Sequence, residues 1–86
     1  MPLYFFDTVN GSRFHDEQGM ELAGPDEARL YAIKFAGQCL ASDPKPLCEG
    51  DFRVEARNAA GLLLFAVTTF MTEAPAMGSA SPGSPN

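Results

Sequence analysis

Hydrophobic and polar positions divide the chain into short alternating runs on either side of one helical stripe. Leu3 to Val9 is rich in aromatic and β-branched residues, as a strand requires. Asn10-Gly11 follows at once, a hairpin signal because both residue types tolerate positive φ. A shorter second strand returns through Arg13-Phe14-His15. Asp16-Glu17-Gln18-Gly19 reads as a further turn, after which Met20 to Leu22 continues the strand. Gly24-Pro25-Asp26-Glu27 opens a helix, since proline fits the first helical position and the two acids favour the positive end of the dipole. Apolar residues then recur at Ala28, Ala32, Phe35, Ala36, Cys39 and Leu40, the spacing of one buried stripe. Tyr31 flanks the stripe, while Arg29, Lys34 and Gln38 lie mostly away from its centre. Asp43-Pro44 and Pro46 end the helix, because a residue before proline disfavours helical angles. In Phe52-Arg53-Val54-Glu55-Ala56-Arg57, apolar and charged residues alternate, which predicts a third strand with one buried and one wet face. Asn58-Ala59-Ala60-Gly61 makes a turn, and Leu62 to Phe70 is a fourth strand, apolar on both faces as far as Thr68 and Thr69. From Ala74 onward proline, glycine and serine dominate, so residues 1–73 are expected to form one domain and 74–86 a disordered tail.

The order ββαββ predicts an α+β domain, a four-stranded sheet with one helix packed on one face. The first strand offers Leu3, Phe5 and Val9 to one face and Tyr4 and Phe6 to the other. The fourth offers Leu63, Phe65 and Val67 against Leu62, Leu64, Ala66 and Phe70. Strands apolar on both faces belong in the middle of a sheet, whereas a short strand and a charged one suit its edges. The expected order is therefore 2-1-4-3, with the helix as crossover. Tight hairpins would leave the first and fourth strands parallel, and the loop from Ser42 to Asp51 could reverse them. One helix covers one sheet face. The other is expected to be covered by a second copy, a different partner, or the segment Met71 to Met77.

Several separated motifs agree with a known family in order: Met1-Pro2, Tyr4-Phe5-Phe6-Asp7, Gly11, Asp16, Gly19, Glu21-Leu22, Glu27-Ala28-Arg29, Ala32, Val54 and Gly61. On these residues the stretch from Met1 to Phe70 resembles a family of small uncharacterised bacterial proteins, a domain of unknown function. Its departures are the loop Pro44 to Gly50, with a cysteine and two prolines, and an unusually apolar last strand. The resemblance implies an α+β fold and no known activity, so no functional residue comes with it.

Length and charge narrow the functional classes. Eighty-six residues allow one domain. Eleven Asp and Glu against six Lys and Arg give a net charge of −5, which opposes binding to nucleic acid. The N-terminus lacks the basic start of a signal peptide. The longest apolar run, Gly61 to Val67, is too short to cross a bilayer. The chain is therefore expected in the cytoplasm, away from membranes, with Cys39 and Cys48 reduced.

No catalytic, cofactor-binding or metal-binding residue is assigned from the sequence, and no cofactor is implied. His15 lacks a positioned partner, because its neighbour Asp16 would point to the opposite face of a strand. Asp16, Glu17, Glu21, Asp26 and Glu27 form an acidic run that does not match a calcium loop and reads as a polar turn plus helix-start acids. A single histidine and no closely spaced cysteine pair argue against a zinc site. Cys39 reads as a small core residue, and the acids beside Cys48, Glu49 and Asp51, disfavour an activated thiolate. Ser12 and Ser42 have no nucleophile elbow. Arg53, Glu55 and Arg57 read as a solvated strand face. The leading expectation is a non-enzymatic interaction module, with a homodimer as the first candidate. The alternatives are a small-molecule binder or small enzyme with a pocket between helix and sheet, and an antitoxin-like regulatory domain.

Overall fold

Tyr4 and Phe6 on one strand, and Phe52, Val54 and Ala56 on its neighbour, alternate with polar or less buried positions. Together they form the floor of the core. The computed structural model describes residues 1–74, and apart from Ala74 the tail expected to be disordered lies outside the described residues. The elements are β1 (Leu3–Val9), β2 (Arg13–Phe14), β3 (Met20–Glu21), α1 (Pro25–Ser42), α2 (Lys45–Glu49), β4 (Phe52–Asn58) and β5 (Leu63–Thr69). The sheet runs β2-β1-β4-β5, with β3 also paired to β1 beyond the end of β2. Every pairing is antiparallel.

The helix forms where its stripe predicts. Its start lacks a side-chain cap on Gly24, but the Glu27 carboxylate reaches back to accept the Ala23 amide at 2.9 Å. At its end the Asp43 amide donates to the Cys39 carbonyl at 2.9 Å. Ala28, Ala32 and Ala36 are buried and α1 lies mainly over β4, whose Val54 and Ala56 are fully enclosed. Small residues on both sides allow this close approach. Tyr31 packs against Phe6 with ring centroids 4.7 Å apart and stacks on Phe35 at 5.9 Å.

Three expectations are corrected. First, the sheet has five strands rather than four, because the chain after the second hairpin strand re-pairs with β1 as Leu3↔Glu21 and Tyr4↔Met20. Second, the expected order 2-1-4-3 gives way to an order in which the charged third strand is central and the apolar fourth strand is the edge. β4 lies between β1 and β5, so the first and fourth predicted strands are not neighbours and no parallel pair forms. The physical reason lies on both faces of β4. Its apolar side suits the alanine face of α1, and on its other side Arg57 finds Asp7 on β1, Glu55 finds Arg13 on β2, and Arg53 pairs with Glu55 within the strand. Third, the centre of the second sheet face is ionic rather than apolar, so it does not require a hydrophobic cover. The loop before β4 also contains the short helix α2.

Candidate functional site

On β1, alternation places Asp7 on the same face as Leu3, Phe5 and Val9, away from α1. The β1–β4 register sets Phe5 against Arg57, Asp7 against Glu55, and Val9 against Arg53. Two carboxylates facing each other across strands repel, and arginines resolve the conflict. Arg57 binds Asp7 with both arms of its guanidinium, Nε to Oδ2 and a terminal nitrogen to Oδ1, each at 3.0 Å. Arg13 bridges the pair, hydrogen bonding to Glu55 while lying 3.5 Å from Asp7. Arg53 lies 3.3 Å from the other Glu55 oxygen, and its buried Nε has no hydrogen-bond partner among the described residues. The Asp16 amide donates to Asp7 Oδ1 at 3.0 Å, and His15 Nδ1 lies 2.9 Å from Oδ2. Asp7 is completely buried. Burial by itself opposes its charge, but the Arg57 hydrogen bonds, the Asp16 amide, the Arg57 charge and His15 outweigh that and lower its pKa from 3.8 to about 2. The Arg57 guanidinium also rests over the Phe5 ring, 5.3 Å from its centroid.

Asp16 does the work of a missing piece of strand. Between β2 and β3 the edge of β1 has no backbone partner, and there the Phe6 amide donates to Asp16 Oδ2 at 3.1 Å. Oδ1 accepts the Gln18 and Gly19 amides at 3.0 and 3.1 Å, closing the turn. Burial opposes the Asp16 charge as well, and the amides of Gly19, Phe6 and Gln18 overcome it and hold its pKa below the ordinary value. Gly19 adopts φ +76°, and a Cβ there would lie 3.0 Å from the Phe5 ring and 3.1 Å from Leu3, so both backbone and space require glycine.

The turn also borders a cavity of about 360 Å³ between the sheet edge and α1, walled by Phe6, Phe14, His15, Tyr31 and Phe35. An imidazole held by a carboxylate is the pairing used in general-base catalysis. Here, however, the Asp7 oxygens are already engaged by Arg57 and the Asp16 amide, and the hydroxyls lining the cavity are those of Thr8 and Tyr31. The arrangement acts first as a clamp joining β1, β2, β4 and the Asp16 turn.

The residues weighed from the sequence are placed as follows. His15 lies just past β2, largely exposed, and its partner is Asp7 rather than Asp16. The acidic run does not converge: Asp16 holds the turn, Asp26 pairs with Arg29 at 2.9 Å, and Glu27 caps the helix. Among the described residues no cluster of His, Cys, Asp and Glu could hold a metal ion. Cys39 is half-buried in the helix stripe, where burial pushes its thiol up, and Cys48 is exposed on α2. Arg53, Glu55 and Arg57 share one face as predicted, but Glu55 is buried and all three are engaged. Asp7 was the missed residue, and its signal was a lone charge among the apolar residues of the first strand.

A second feature is the outer side of β5. Its inner side pairs with β4 and its outer side pairs with nothing among the described residues. From Gly61 to Thr72 the chain carries no charge. Leu62, Leu63, Phe70 and Met71 are exposed along it. The Asn58 side chain fixes its entry by accepting the Ala60 and Leu62 amides at 3.0 Å. Beside that entry lies a groove of about 600 Å³ lined by Pro25, Arg29, Ala59, Ala60, Leu64 and Phe65. No helix of the described residues is long and apolar enough to cross a membrane.

No curated protein and no solved structure matches the chain. One family model matches residues 3–71, which takes in every strand and both helices: a domain of unknown function, DUF6894.

Proposed function

We propose that this chain, which belongs to the DUF6894 family, is a small interaction module that works by adding a partner's strand to the open edge of β5. The observation that carries this reading is the character of that edge: seven strand residues with an outer side unpaired among the described residues, no charge, and large apolar side chains exposed around it. Native monomers blunt such edges with charges, proline or brevity, and β5 has none of these. An exposed edge supplies affinity through main-chain hydrogen bonds and specificity through alternate side chains. The test is site-directed photocrosslinking in the native host. A crosslinking residue at Ala66 should give discrete protein adducts, and one at Lys34 on the polar side of α1 should not. Absence of any adduct at Ala66, or equal adducts at both positions, removes the reading.

The cavity between α1 and the β2 edge supports a second reading, a binding site for a small molecule. Its volume falls in the range of ligand pockets, and its aromatic walls with His15 and Asp16 at the rim suit a flat, partly polar ligand. Mass spectrometry of native protein before and after denaturation tests this reading. Release of a stoichiometric small molecule supports it, and its absence from protein purified gently from the host counts against it.

A further inference from the structure

We infer that the strand added to β5 is β5 of a second copy, paired antiparallel about a two-fold axis at Ala66. This rests on the edge-pairing reading and names its partner. With Ala66 opposite itself, Val67 falls opposite Phe65; beyond Phe65 the strand is irregular, since its register against β4 shifts between Ala56 and Arg57. The smallest side chain of the strand lies on the axis, where two copies of any larger one would meet.

Three observations favour self-pairing over a foreign strand. The first is complementarity of the two ends of the edge. Phe70 and Met71 are exposed at one end, and the groove lined by Ala59, Ala60, Leu64 and Phe65 opens at the other. A two-fold axis at Ala66 carries each copy's Phe70–Met71 end to the other's groove. Extension of the pleat puts Met71 on the helix side with Phe65 and Val67, in line with the groove.

The second is the flank of the helix. The Arg29 guanidinium sits 5.8 Å from the Phe65 ring, so this flank of α1 faces β5. Ile33, one turn further along the same flank, is 56% exposed. A perpendicular two-fold axis keeps both helices on one side of the joined sheet. α1 lies over β4, and the two β4 strands would then be separated by three strand spacings, about 14 Å. Helices are about 10–12 Å across with their side chains, so the Ile33 flanks would close on each other over the junction.

The third is area. At about 200 Å² per large side chain, the exposed fractions of Leu62, Leu63, Leu64, Phe70, Met71 and Ile33 amount to roughly 660 Å² before Ala66, Thr68 and the strand backbone are added. A standard stable interface buries about 800 Å² per partner. The chain's net charge of −5 does not oppose the contact locally, because the edge from Gly61 to Thr72 is uncharged.

Sedimentation velocity and light scattering of the full chain across a dilution series test the inference. Wild type should be a dimer that dissociates on dilution. Ala66→Lys and Ala66→Glu each place like charges on the axis and should weaken dimerisation roughly a hundredfold or more, with an unchanged circular dichroism spectrum. Mixing the two variants should restore the dimer, a rescue that requires position 66 to meet itself. A wild-type chain that stays monomeric overturns the self-pairing, as does a dimer indifferent to both variants or one not rescued by mixing. A monomeric wild type that still crosslinks from Ala66 to a different protein sinks the self-pairing alone. One with no adduct sinks the interaction module too.

Discussion

On one side the sheet ends in β2 and β3, two residues each, separated by the Asp16–Gly19 turn. On the other it ends in β5, seven residues long and without a charge. The first edge is closed by its own chain. Arg13 on β2 is tied to Glu55, Glu21 on β3 is charged, and the Asp16 carboxylate takes the Phe6 amide that an added strand would need. Among the described residues the second edge has no such device, and its apolar residues stay exposed. Polar side chains can serve the same backbone donors that a strand serves, at the cost of their own burial. The chain uses them on one edge only. That asymmetry is what supports β5 as the edge of the proposed strand addition.

The largest predicted effect falls on the closed side. Asp7→Ala leaves Arg57 over a cavity and removes the acceptor of the Asp16 amide, so it should cost about 3–5 kcal/mol of folding free energy, the range for breaking one half of a buried ion pair. Urea unfolding measures it. A loss below about 1 kcal/mol would show that the ionic cluster is not a clamp and would weaken the contrast between the edges.

Acid should dissolve the same clamp without mutation. The Asp7 pKa is lowered from 3.8 to about 2 in the folded state. Its stabilising contribution is therefore complete above the unfolded value and is lost as pH falls through 3.8 towards 2. The difference corresponds to about 2 kcal/mol. A melting curve for wild type that is flat across that window, or one that matches Asp7→Asn in slope, would contradict the assignment.

Asp16→Ala should be milder, about 1–2 kcal/mol, because the turn can admit water to the Gln18 and Gly19 amides while Phe6 loses its acceptor. Amide exchange sharpens the comparison here. Phe6 should exchange faster in this variant, and the Arg53–Arg57 amides of central β4 should stay slow. Unchanged protection at Phe6 would mean that Asp16 does not close the edge.

The smallest effect on stability belongs to the open side. Thr68→Lys, on an exposed position of β5, should change the stability of dilute protein by less than about 0.5 kcal/mol, the usual range for a surface substitution, yet it should weaken association. Strong destabilisation at high dilution would show that the outer face of β5 packs within its own chain.

These contrasts separate what could be read locally from what could not. The span and buried stripe of α1 were legible because a 3.6-residue period and a Pro25 start are properties of adjacent sequence. The hairpin turns at Gly11 and Gly61 were legible for the same reason, and both glycines take positive φ. The site was not. His15 looked unpartnered because its partner Asp7 stands on the neighbouring strand, and β2 ends before His15, so the rule that strand neighbours point apart did not apply.

The sequence by itself determined the α+β class, the helix and its buried face, the strand segments, and membership of a family whose model covers residues 3–71. Only the tertiary structure decided which strand lies at the centre. Alternation in Phe52–Arg57 identifies one apolar and one charged face, but a charged face suits either a solvated edge or a neutralised interior. The choice depends on whether counter-charges arrive from distant parts of the chain. Asp7 and Arg13 supply them across the sheet, so β4 moves inward and β5 is displaced to the edge. Ion pairing between strands is a long-range interaction that leaves no period in the local sequence, and for that reason the order of the strands lay beyond what the local pattern could determine.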